Sequence, residues 1–166
     1  MNVFSSLETT AEISVTFAGF ISIFMVLARR DESFASEIAA LIRFILLGSI
    51  ACLFLAALPL VAGGIGLTGT ALWRLASSLG LAAGLGMGIF SSRQRRDLRD
   101  REVTAFTRLA WVLMLLVGLS FLANIIGWPL SPNGGVYLAG VWLGLAIPSV
   151  NLVDLVFRFA LRSPAA

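Results

Sequence analysis

Eleven of the twelve basic residues in this chain lie in or beside alternate gaps between five long apolar segments, and the other gaps carry almost no charge. The segments run from about Ala11 to Ala28, Ile38 to Ala62, Ala71 to Phe90, Leu109 to Trp128 and Val136 to Phe157. Each holds about 18–25 residues, enough at about 1.5 Å per residue to cross a hydrocarbon core of about 30 Å. Lipid offers no water to bond an exposed amide, so each segment is predicted to be a helix that satisfies its own backbone. The expected fold class is all-α: a polytopic membrane helix bundle of five spans, forming one integral membrane domain over residues 1–166.

The arginines also give direction. Arg29 and Arg30 fill the first gap, and Arg43 lies just inside the second span. Arg93, Arg95, Arg96, Arg99, Arg101 and Arg108 fill the third gap, and Arg158 and Arg162 end the chain. The second gap, Gly63 to Thr70, and the fourth, Pro129 to Gly135, have no charged residue; only Arg74 sits toward that side. By the positive-inside rule the arginine-rich gaps are cytoplasmic, which puts the N-terminus outside and the C-terminus inside. This parity supports the third span, the least apolar of the five. Without it the large arginine loop would face the opposite side from Arg29 and Arg30. The first segment is read as an uncleaved helix, because Glu8 and Glu12 precede or open it and its arginines follow, the reverse of a signal peptide. Trp73, Trp128 and Tyr137 are expected at the outer interface and Trp111 at the inner one, while Trp142 lies deeper without an obvious reason.

Composition narrows the chemistry. There is one cysteine, Cys52, and no histidine, so an intrachain disulfide is impossible and histidine acid–base catalysis is ruled out. Zinc, haem and iron–sulfur sites draw on several Cys and His ligands, so no metal or cofactor is expected. The net charge of +3 is accounted for by topology rather than by nucleic acid. All twelve basic residues are arginine; with the alanine, glycine and leucine load this points to a bacterial source and so to the cytoplasmic (inner) membrane. The third gap, residues 91–108, is the longest stretch outside the spans, and pairs such as Asp97 with Arg101 suit a short charged helical hairpin.

Small residues form the sharpest pattern. Ala76, Gly80, Gly84, Gly88 and Ser92 recur every fourth residue along the third span. Gly140 and Gly144 make a second pair in the fifth span, and Gly48, Cys52 and Ala56 a row in the second. Such rows let helix backbones approach closely and gain dispersion contacts that lipid supplies less well. They suit packing within the chain, a subunit interface, or both.

Two sets of polar residues remain. Glu12 shares a helical face with Glu8, Thr16 and Gly19. It could pair with Arg74 near the outer end of the third span, or ring a cation entrance in an oligomer. Asp154 shares a face with Asn151 and Arg158, and Arg43 is a second partner in reach. Those residues could form a salt bridge at the inner leaflet. Pro148 should kink the fifth span by removing the bond to the Gly144 carbonyl, and Ser149, Asn151 and Asp154 could then line a polar cavity for an ion or proton. Asn124 should bond a neighbouring helix. No set of catalytic groups stands together, so the chain is not expected to be an enzyme. The expected role is helix packing within a homo- or hetero-oligomeric membrane assembly, with the lipid bilayer, further copies or other membrane subunits as partners. The alternative is an oligomeric channel or transporter for ions, protons or small solutes built on Glu12 or on the Pro148–Asp154 stretch.

Overall fold

The computed structural model describes residues 2–28, 36–96 and 105–162. Among these residues it is all helical, with α1 (Val3–Ala28), α2 (Ser36–Gly64), α3 (Gly69–Arg96), α4 (Ala105–Ile126) and α5 (Gly134–Arg162). All five are long and apolar enough to cross a membrane. Arg29, Arg30 and the Asp97–Arg101 pairing lie outside the described residues, as do the side chains of Ser92 and Arg158. Helix α1 differs most from expectation. It begins at Val3, well before Ala11, because Ser5, Ser6, Thr9 and Thr10 are absorbed into the helix rather than left as a polar leader. Three of their hydroxyls donate back one turn: Ser6 to the Asn2 carbonyl, Thr9 to Ser5 and Thr10 to Ser6, at 3.4, 3.1 and 2.7 Å. Side-chain polarity is thereby neutralised against the helix's own backbone.

Helix α5 is the hub, packing against all four other helices. Helix α1 lies at the margin, in contact with α2 and α5. The α2–α5 seam is antiparallel and built from small residues. A Cβ built on Gly48 would lie 3.7 Å from the Pro148 ring, and one on Gly144 would lie 3.4 Å from the Cys52 sulfur. Further along, the Tyr137 hydroxyl donates to the Leu55 carbonyl at 2.6 Å. Neither Pro59 nor Pro148 ends its helix, and both are buried. Gly48 leaves room for the Pro148 ring, so the proline acts as a packing surface within an unbroken α5.

The chain alternates between two ends. One carries the uncharged connections 65–68 and 127–133, and is called here the charge-poor end; the other carries the arginine-rich connections. The N-termini of α1, α3 and α5 meet at the charge-poor end. A Cβ on Gly134 would come within 2.7 Å of Trp73 and 2.8 Å of Val3, so only glycine fits there. Two buried apolar clusters fill the bundle. One, around Leu7, Phe121, Tyr137 and Val141, serves the centre and the charge-poor end. The other, around Ile21, Ile42, Ile45 and Leu155, serves the arginine-rich end.

Candidate functional site

The small residues of α3 divide into a filled part and an open part. Ala76 and Gly80 are buried. Gly80 on α3 and Gly140 on α5 grip the Phe121 ring of α4 from two sides: a Cβ on Gly80 would sit 2.7 Å from that ring, and one on Gly140 2.8 Å from it. Neither distance can be accommodated without moving Phe121, whose side chain is fully buried. Further along, Gly88 lies within ordinary contact of the Met114 sulfur, 3.6 Å from a built Cβ, while Gly84 and Gly86 meet nothing within 4 Å. The sequence shows where small residues recur. It does not show that a phenylalanine on a third helix fills the space they leave.

A polar lock closes the same region toward the charge-poor end. Asn124 on α4, buried, donates through Nδ2 to the Ser77 hydroxyl of α3 at 2.8 Å. Its Oδ1 accepts the Asn133 amide at 2.9 Å. Asn133 caps α5 by accepting the Val136 amide at 3.0 Å, the bond that an N-cap residue makes with the third helical residue. The Ser120 hydroxyl donates to the Val136 carbonyl at 2.9 Å. One asparagine thus ties α3, α4 and the start of α5. The expectation that Asn124 bonds a neighbouring helix pointed to this residue but not to Asn133, whose signal is its place immediately before Gly134 as an N-cap residue.

Glu12 lies on the exposed face of α1, and its depth differs from expectation. The Thr10 hydroxyl accepts the Trp142 indole N–H at 2.9 Å, and Val3 lies beside Gly134, so α1 and α5 run parallel in a fixed register. In that register Glu12 is level with Gly144, near the middle of the stretch Gly134–Phe157, and it is also near the middle of its own stretch, Val3–Val26. The ring of Phe4 touches that of Trp73 at 5.9 Å, which sets Arg74 level with Ser5. Glu12 is therefore about 11 Å deeper than Arg74 along the helix axis. Arg74 is exposed, and its guanidinium lies 3.9 Å from a Cβ built on Gly127, away from α1. The expected Glu12–Arg74 pair is not formed, because α1 starts earlier than its apolar residues imply and carries Glu12 deeper.

Thr16 and Gly19 are exposed on the same side of α1 as Glu12. The Thr16 hydroxyl donates to the Glu12 carbonyl at 2.9 Å. Beside this row, between α1 and α5, runs an open groove of about 390 Å³ lined by Ser5, Ser6, Thr9, Thr10, Ile13, Trp142 and Leu145. Trp142 is accounted for by its bond to Thr10. At the charge-poor end Tyr137 is buried and Trp73 half-buried, both packed against the core. Tyr137 is fully buried between Trp73 and Phe121, with ring centroids at 5.8 and 5.5 Å.

At the arginine-rich end Asn151 and Asp154 are both buried on one side of α5, while Arg43 of α2 is exposed. Asn151 Nδ2 donates to the Ile147 carbonyl and the Ser149 hydroxyl to Leu145, each at 2.9 Å. Both side chains turn onto their own helix rather than into a shared space. Among the described residues no group of three His, Cys, Asp or Glu could hold a metal. No family model, curated protein or solved structure matches this chain.

Proposed function

We propose that this chain is a multi-pass membrane protein with its N-terminus outside and its C-terminus in the cytoplasm, working without catalysis as a subunit of a membrane assembly. A bacterial inner membrane suits its all-arginine basic set. The observation that carries the assembly reading is the carboxyl group of Glu12, exposed at mid-depth on the marginal helix. A charged side chain at the centre of a span costs about 2.5–3.5 kcal/mol on insertion scales. Facing lipid, Glu12 adds to the cost of inserting α1; facing another protein surface, it specifies an interface. The interior supports the same reading from the other side. Phe121, Asn124 and the α2–α5 seam satisfy the buried groups of one chain and leave the outward face of α1 for a neighbour.

The test is the state of association of the intact chain in lipid bilayers at low protein-to-lipid ratio, counted by single-molecule photobleaching. Association above the random co-capture expected at that density supports the reading. Single copies throughout, alone and with solubilised membrane proteins of its source, reject it.

A second reading rests on the same row. Copies arranged with Glu12, Thr16 and Gly19 toward a common axis would form a cation path. Flux in proteoliposomes that is abolished by Glu12→Gln supports this conduit; an impermeable unmodified protein removes it.

A further inference from the structure

We propose that the charge-poor end of α2 is an arm hinged at Pro59, and that the Tyr137 hydroxyl of α5 is the clasp that keeps the arm in line. An α-helix bonds the amide of each residue to the carbonyl four residues back, so position 59 should serve Leu55. Proline has no amide hydrogen, and Pro59 leaves the Leu55 carbonyl without that bond. The donor that reaches this carbonyl comes from another helix: the Tyr137 hydroxyl, at 2.6 Å. Tyr137 and Pro59 are both fully buried. An unmet carbonyl is destabilising in such a place, so the hydroxyl stands in for the missing amide. The device lies within one chain and holds whether or not copies associate.

Two features make the segment after Pro59 an arm. It is short and closed on itself. Within α2 only Leu60 to Gly64 follow the proline. The Ile65 amide bonds the Val61 carbonyl at 3.2 Å, and the Gly66 and Leu67 amides bond Gly63 and Ala62 at 3.1 Å each, with Gly66 at φ 92°. A glycine in the left-handed region thus ends the helix and meets its last carbonyls, which lets Leu60 to Leu67 move as one piece. The arm is also lightly held from outside. Val61 and Ile65 are exposed, and Cβ atoms built on Gly63 and Gly64 meet nothing within 4 Å. From Leu60 to Leu67 only Ala62 is buried, and its side chain is a single methyl group. Pro148 is the contrasting case. It sits mid-way along the hub helix, and a bend there would displace neighbours on both sides of it. Released, the α2 arm bends at Pro59 and opens the charge-poor end of the bundle beside Tyr137. Both polar atoms of the clasp then lose their partner, so the open form is the minor one.

The experiment is residue-resolved amide hydrogen exchange in detergent micelles, comparing the unmodified full chain with Tyr137→Phe, Pro59→Ala and both changes together. Tyr137→Phe keeps the ring against Trp73 and Phe121 and removes only the hydroxyl. It should quicken exchange about tenfold at Leu60, Val61 and Ala62, whose amides bond across the hinge to the carbonyls of Ala56, Ala57 and Leu58. Ile65 and Leu67, bonded within the arm, should keep their rates. Pro59→Ala restores an amide for the Leu55 carbonyl, and in that background Tyr137→Phe should change the same rates less than about twofold. Equal quickening in both backgrounds, or none in either, overturns the clasp. Quickening of Ile65 and Leu67 along with Leu60 to Ala62 overturns the arm, because it marks fraying of the helix end. If Tyr137→Phe alone does not fold, the chain carrying both changes should, and its failure too overturns the proposal.

Discussion

Helices α1 and α5 run side by side in the same direction, joined by the Thr10–Trp142 bond, yet they treat similar residues in opposite ways. On α5 the small residues are occupied: Gly134 by Val3 and Trp73, Gly140 by Phe121, Gly144 by Cys52. Its prolyl ring at position 148 is buried against Gly48, and its Asn151 and Asp154 are buried too. On α1 the corresponding features face outward: Gly19 meets nothing, and Glu12 and Thr16 are exposed. Sequence type does not separate the two. What separates them is position in the bundle, since α5 packs against four helices and α1 against two. Small and polar residues thus hold one helix inside the fold and leave the other prepared for a contact beyond it.

The largest effect should come from crowding the occupied side. Gly140→Leu drives a branched side chain into the Phe121 ring, already 2.8 Å from a built Cβ, and no rotamer avoids it. Overpacking of a close-fitted core costs about 1–3 kcal/mol and sometimes more. Here the backbone approach of α5 to α4 would have to open, and loss of the folded form in detergent thermal melts is expected. The matched change on α1, Gly19→Leu, should leave the melt within about 0.5 kcal/mol of the unmodified chain, as surface changes do. Equal losses at both sites would erase the distinction between the helices. Next in size is Asn124→Ala. It strips the Asn133 amide and the Ser77 hydroxyl of their partner in a buried place, for which about 1–2 kcal/mol is expected. Chemical denaturation in micelles would measure it, and a loss below about 0.5 kcal/mol would mean that water reaches the lock.

The fold was largely readable because two physical rules act along the chain without reference to tertiary structure. Lipid demands helices of a given length, and all five helices fall on the five apolar segments. Hydropathy places the start of α1 too late because it ranks Ser5, Ser6, Thr9 and Thr10 as polar, whereas a helix lets hydroxyls such as those of Thr9 and Thr10 bond the preceding turn. That shift, together with the register that Trp142 fixes, moved Glu12 to mid-depth and separated it from Arg74. Small-residue periodicity marked Gly80 and Gly140 on two helices. Their common occupant, Phe121 on a third, depends on how the helices are arranged, which spacing within one segment does not encode. Asn133 carried a local signal as a cap, but its bond to Asn124 is again a matter of arrangement.

Weaker changes probe the link between the two helices. Trp142→Phe keeps the ring and removes the indole N–H that binds Thr10. A bond between membrane helices is worth about 0.6 kcal/mol on average, so global stability should barely move. Amide hydrogen exchange should nevertheless quicken in the first turns of α1 and stay unchanged in α5. Equal quickening in both would show that α1 and α5 open together, not as a margin and a hub.

The smallest expected effect on the fold of the single chain belongs to Glu12→Gln, and its smallness is the point. A carboxyl group held inside a chain by an ion pair costs several kcal/mol to unmake, because the partner charge is left behind. Glu12 instead stands on an exposed face about 11 Å from the level of Arg74, with its helix packed away from it. Its replacement should shift the melt of the dilute, single chain by less than about 0.5 kcal/mol. A loss of more than about 1 kcal/mol under those conditions would place Glu12 among the internally satisfied groups, with Asn124 and Phe121, and α1 would cease to be the open helix. If the dilute chain is indifferent while association in bilayers responds to Glu12→Leu, the same residue is neutral to folding and decisive for contact. That division of effect is what an exposed carboxyl group at mid-depth implies, and measuring both on one set of variants is the sharpest separation of the two helices.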